Sequence, residues 1–139
     1  MAGEPDVTSN PFISIDCTSL NVIDDDGVPS GIILDKSVQF RLSTDWALSG
    51  TFASFIVGLS VPYTITYFAE QLGGPNDSAL AVVATNTIPG QLAYGAAQTS
   101  ATIPANTLVP GTYKLTVVIS FGGSPPMTAF TEGSVVEVY

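Results

Sequence analysis

The sequence predicts an all-β domain, a two-sheet antiparallel β-sandwich of seven or eight strands. Three observations predict it. Apolar residues recur at every second position in several stretches, most clearly between Val109 and Phe121. Clusters of Gly, Pro, Asn and Asp punctuate the chain about every ten to twenty residues. No stretch carries a long helical stripe. A chain of 139 residues fits one domain and buries enough surface to fold without cross-links. Residues 1–10 read as a flexible N-terminal arm and residues 11–139 as the sandwich.

The arm is polar and contains Pro5, with Asn10-Pro11 at its end. Phe12 to Thr18 is the first predicted strand, with Ile13, Ile15 and Cys17 on one face. Leu20 to Ile23 continues it or forms a second piece after a kink. Asp24-Asp25-Asp26-Gly27 is an acidic turn, and Gly31 to Leu34 is a short apolar run. Val38, Phe40 and Leu42 alternate with Gln39, Arg41 and Ser43, which predicts a strand. Residues 46–60 carry Gly50 and Gly58 and show no clean period; a short helix and a long loop both fit.

Pro62 to Leu72 is strongly strand-like, with Tyr63, Ile65 and Tyr67 on one face and Thr64, Thr66 and Phe68 on the other. Gly73-Gly74-Pro75-Asn76-Asp77 is a turn, and Leu80 to Ala84 a short strand. Leu92 to Ile103 is a weak strand with a break at Gly95, and Pro104-Ala105-Asn106 turns the chain. In Val109–Phe121, Tyr113, Leu115, Val117, Ile119 and Phe121 share a face, while Lys114, Thr116 and Ser120 share the other. Val118 is the apolar exception on the polar side, fitting either an ordinary exposed apolar residue or contact with another chain or layer.

Ala129 to Tyr139 is the last strand, and it contains a conflict. Val136 and Val138 share parity with Glu132, so a regular strand would aim that carboxylate at the core, which is costly without a partner. A bulge at Gly133 would re-aim it. Pairing with Arg41 or Lys114 would neutralise it.

Pro110-Gly111-Thr112-Tyr113-Lys114-Leu115-Thr116-Val117 resembles the penultimate strand of immunoglobulin-like domains. The resemblance implies an immunoglobulin-like sandwich in which Tyr113 ties back to an upstream backbone group. The chain departs from that pattern in having no cysteine pair and in placing Trp46 within residues 46–60. A fold-level resemblance of this kind implies a fold and leaves function open.

Composition narrows the function classes. Twelve acidic residues face three basic ones, Lys36, Arg41 and Lys114, for a formal charge of −9. That balance argues against nucleic acid and anionic membranes, whose phosphates need lysine and arginine. Residues 46–69 are uncharged and long enough to cross a bilayer, but Gly50, Gly58, Pro62 and six Ser/Thr dilute them and no basic flank follows. Met1 to Asp6 has neither a basic region nor an apolar core, so no signal peptide is expected, and the cytoplasm or a protein assembly is the expected location.

Histidine is absent, which removes the commonest general base and the serine triad. No glycine-rich phosphate loop with its lysine occurs. The single cysteine, Cys17, reads as a small hydrophobe. Asp24, Asp25 and Asp26 are the weak metal candidates, but a helix–loop–helix calcium loop fails because Val22 and Ile33 occupy its first and twelfth positions. Asn76-Asp77-Ser78 has the form of a glycosylation acceptor. No enzyme and no cofactor are expected.

Only 11% of residues are charged, and residues 78–113 carry no charge at all. Neutral strand surfaces of this kind match buried subunit contacts. The expected function is a non-enzymatic structural or protein–protein interaction subunit that self-assembles, as a homo-oligomer, or docks on a larger assembly. The alternative is a carbohydrate-binding module stacking sugar rings on Trp46, Tyr63, Tyr67 and Tyr94, whose own alternative role is core packing.

Overall fold

The computed structural model describes residues 13–23, 33–75, 77–122 and 127–139. It contains nine strand segments and two short helices among these residues, arranged in two sheets. The smaller sheet is built on β3 (Phe40–Ser49), with β1 (Ser14–Ile23) antiparallel on one side. On its other side lie two short pieces, β6 (Ala93–Tyr94) and β7 (Ala101–Ile103). The larger sheet has the order β2 (Ile33–Leu34), β9 (Met127–Val138), β8 (Gly111–Phe121), β4 (Pro62–Gln71) and β5 (Asp77–Asn86). All its pairings are antiparallel except β2 with β9, which is parallel.

The alternation read from the sequence fixes which face of each strand is inside. Along β8, Tyr113, Leu115, Val117, Ile119 and Phe121 are buried, and the residues between them are half-buried on the other face. Tyr63, Ile65, Tyr67 and Ala69 do the same on β4. These meet Leu42, Trp46 and Leu48 from β3 in one continuous core. The Tyr113 hydroxyl donates to the Val109 carbonyl at 2.7 Å, the backward tie that the resemblance implied.

Residues 46–60 divide between two elements. Trp46 to Ser49 extend β3, so Trp46 lies on a regular strand rather than in an irregular segment. A single short helix, α1 (Ala53–Gly58), follows, with Ala53 and Val57 buried beneath it. Residues 92–103 also depart from the expected weak strand: β6 and β7 are separated by α2 (Ala96–Thr99). β1 is one strand across the expected kink, with its register slipping between Cys17 and Ser19. β5 is longer than the predicted Leu80–Ala84, running from Asp77, the last residue of the predicted turn, to Asn86.

Glu132 resolves by both routes at once. Thr116 lies opposite Glu132, but Lys114 lies opposite Val135, so β9 holds one extra residue between them. The extra residue reverses parity: Phe130 and Glu132 face outward, whereas Val136 and Val138 face the core. Outside, Glu132 meets the Lys114 ammonium at 2.8 Å. The expected arm at residues 1–10 and the acidic turn at Asp24–Asp26 lie outside the described residues.

Candidate interaction surface

The four aromatic residues offered for sugar stacking are core residues. Trp46, Tyr63, Tyr67 and Tyr94 are 2%, 2%, 0% and 3% exposed. Trp46 stacks on Tyr94 at 4.3 Å between ring centroids and meets Tyr63 edge-on at 4.9 Å. The Tyr67 hydroxyl donates to the Thr99 carbonyl at 2.6 Å, and Tyr94 donates to the Gln91 carbonyl at 2.7 Å. Their inward parity decides this: large rings fill the space between two sheets more effectively than they serve the surface. The expectation of an exposed aromatic platform is therefore corrected.

A depression of about 370 Å³ beside β3 and β6 is lined by Thr18, Asp45, Trp46, Ala47, Ala93, Tyr94 and Gly95, so two of the four aromatic residues border it, although each is almost fully buried. Asp45 is held there by Ser19 at 2.7 Å and Asn21 at 3.2 Å.

The chemistry sought elsewhere is thin. Among the described residues, no group of three or more Cys, Asp and Glu side chains gathers to hold a metal. Asp24, Asp25, Asp26 and Asn76 lie outside the described residues. Among the described residues, no helix is long and apolar enough to cross a membrane. Cys17 is half-buried, 3.3 Å from the Thr44 hydroxyl, and burial pushes its thiol above the ordinary range. A raised thiol is a poor nucleophile at neutral pH.

The outward face of the larger sheet is the distinctive surface. The registers place Phe130, Val118, Thr66 and Val82 side by side in one row across β9, β8, β4 and β5. Phe130 and Val82 at its ends are 66% and 61% exposed. The next row towards the β8–β9 turn is Thr128, Ser120, Thr64 and Ala84. On the other side Glu132, Thr116, Phe68 and Ala79 form a row, followed by Val135, Lys114, Glu70 and Asp77. Charge is thus confined to one end of the face, and two full rows have none. Val118, the apolar exception on β8, sits inside the apolar row.

The neutrality continues around the uncharged end of the sandwich, next to Pro62, Asn86 and Phe121. The connections at residues 50–61 and 87–92 contain no charged residue. There α1 turns Phe55 outward, 63% exposed, with Phe52 and Leu59 on the same stripe. Asn86 and Thr87 anchor this segment through the Ser60 and Val57 carbonyls.

No protein-family model matches the chain, and no curated protein matches it. Among solved structures it is similar to the C-terminal domain of wzt, with a TM-score of 0.57, 11% identity, and coverage of 95% of this chain and 81% of that one. It is also similar to an immunoglobulin-like protein from Pseudomonas aeruginosa, with a TM-score of 0.47, 15% identity, and coverage of 96% and 100%. At 11% identity the likeness to the wzt domain is one of fold. The fold is a two-sheet β-sandwich, as the strand pattern implied, and its Tyr113 tie is the one that the resemblance to immunoglobulin-like domains implied.

Proposed function

We propose that this chain is a non-enzymatic structural or interaction subunit that self-assembles, or docks on a larger assembly, through charge-poor strand surfaces. The carrying observation is the apolar row Phe130, Val118, Thr66 and Val82 with its uncharged neighbouring row. A molecule of formal charge −9 repels its own kind over most approaches. A face without charge is where that repulsion is weakest and where apolar burial is available. No observation specifically favours the carbohydrate alternative, whose four aromatic residues are 3% exposed or less.

Light scattering across a range of protein concentration and salt tests this reading. The expected outcome is a mass that rises with concentration to a defined oligomer and persists at high salt, because apolar burial is not screened. A monomer at all concentrations, with no partner retained from a defined assembly, would overturn it.

A further inference from the structure

We propose that β5 is an association edge, and that its occupant is the β5 of a second copy running antiparallel to it. The inference rests on the self-assembly reading above and adds to the outward face a second contact, at the sheet edge.

β5 ends the larger sheet and pairs only with β4 among the described residues. β7, which approaches β5 from the smaller sheet, pairs with β3 instead. In an extended strand alternate residues aim their N–H and C=O groups to opposite sides, so half of those on β5 point away from β4. Such an edge is a template for another strand unless something blunts it. The usual blunting devices are lysine, proline, a β-bulge or a covering element. From Ala81 to Asn86 the sequence is Ala-Val-Val-Ala-Thr-Asn, with no charge and no proline. These residues are small or β-branched and suit a pleated ladder. One irregularity falls outside that run: the register with β4 slips between Tyr67 and Phe68, opposite Ala81 and Ala79, leaving Leu80 extra. The regular six residues therefore define the pairing segment.

Charge selects the partner and its direction. The one charged residue of β5 is Asp77, at its far end. An antiparallel pair centred within Ala81–Asn86 sets the two Asp77 carboxylates roughly 40 Å apart, at about 3.4 Å per residue. That exceeds a Debye length of about 8 Å several-fold. A parallel pair would set them side by side. The antiparallel arrangement is also isologous, so it closes as a two-fold dimer. It keeps both outward faces on one side. Val82, at the end of each apolar row, then lies beside the partner's row, and one neutral strip spans eight strands.

The test is amide hydrogen exchange of the full chain at low and high protein concentration, read beside the mass from light scattering. The expected result is a dimer in which alternate amides within Ala81–Asn86 slow at least tenfold at high concentration, while β1 amides do not change. Ala84→Lys, at an exposed position, places like charges close together across the two-fold axis. It is expected to weaken dimerisation at least tenfold, most at low salt, with a melting temperature equal to the wild type's at concentrations where both are monomeric. An oligomer in which β5 amides are not slowed, and which Ala84→Lys leaves intact, would overturn edge pairing while leaving self-assembly standing. A monomer at every concentration would overturn both.

Discussion

The Thr99 hydroxyl reaches both backbone groups of Thr44: the Thr44 N–H donates to Thr99 Oγ1 at 3.0 Å, and the single Thr99 hydroxyl proton is shared between the Thr44 carbonyl at 2.9 Å and the Gly95 carbonyl at 3.0 Å. Thr44 sits on β3 where the facing edge is interrupted, between β6 and β7. A continuous strand would have supplied those bonds from its backbone. Here α2 supplies them from one side chain, which lets the edge bend without orphaning buried groups. Thr99→Val keeps the shape and removes the hydroxyl. It is expected to cost about 2–4 kcal/mol, because two buried backbone groups lose their partner. Thr99→Ser should recover most of that loss. Urea unfolding of the two variants checks this; equal stability of wild type and Thr99→Val would refute the role.

Two buried tyrosines on one strand should respond oppositely to loss of their hydroxyls. Tyr67 donates to the Thr99 carbonyl, whereas the Tyr63 hydroxyl has no partner among the described residues. Tyr67→Phe is expected to cost about 1–3 kcal/mol by stranding that carbonyl. Tyr63→Phe should be neutral or slightly stabilising, since an unpaired buried hydroxyl is a liability. A larger loss from Tyr63→Phe than from Tyr67→Phe would contradict this assignment.

The same burial sets an alkaline limit. Burial, with a smaller contribution from Tyr94, pushes the Tyr63 phenol up to about 12. In the unfolded chain it ionises near 10. The folded state thus holds its proton more tightly, so the stabilisation is complete below about pH 10 and is lost as pH rises towards 12. Burial raises Tyr67 and Tyr113 as well, with the same sign. Denaturant midpoints should fall steadily from pH 10 upward, and less steeply in Tyr63→Phe. A flat profile through pH 11.5 would show that these phenols are not desolvated.

What was legible in the sequence follows from which interactions are local. Strict alternation from Tyr113 to Phe121 named five core residues correctly, because sheet parity is a property of the strand itself. The conflict at Glu132 was visible for the same reason, and the neighbouring glycine pointed to its bulge. The Thr44–Thr99 link joins residues 55 apart in sequence, and nothing in the local pattern of 92–103 announces a side chain replacing a strand. Trp46 was misplaced because the glycines at 50 and 58 obscured the end of β3. Of the candidate surface, Val118 was recognised on β8, but the row it forms exists only once three inter-strand registers are set.

The bulge in β9 has a packing partner that fixes its residue. A Cβ on Gly133 would lie 3.0 Å from Cδ2, 3.2 Å from Cβ and 3.4 Å from Cγ of Leu20 on β1. The Cδ2 methyl could swing away, but Leu20 Cβ moves only with the backbone. Gly133→Ala should therefore destabilise by about 1–3 kcal/mol through overpacking. Adding Leu20→Ala should give a double variant whose loss is smaller than the sum of the two single losses. Wild-type stability in Gly133→Ala would show that β1 yields at this point.

Glu132 and Phe130 separate folding from association on one strand. Both face outward ahead of the bulge, and the Glu132 side chain is more than half exposed beside Lys114. Exposed ion pairs add little to stability, since solvent and salt screen them. Glu132→Gln should therefore leave the melting temperature nearly unchanged, with the charged end of the face still hydrated. Phe130→Ser removes an exposed ring that contributes little to the core, so it too should melt like the wild type. Its effect should appear in the mass instead. If the apolar row is buried in the assembly, Phe130→Ser shifts light scattering towards smaller species while Glu132→Gln does not. Unchanged mass in Phe130→Ser, alongside a persistent wild-type oligomer, would move the contact off this row to the β5 edge or the neutral end around Phe55.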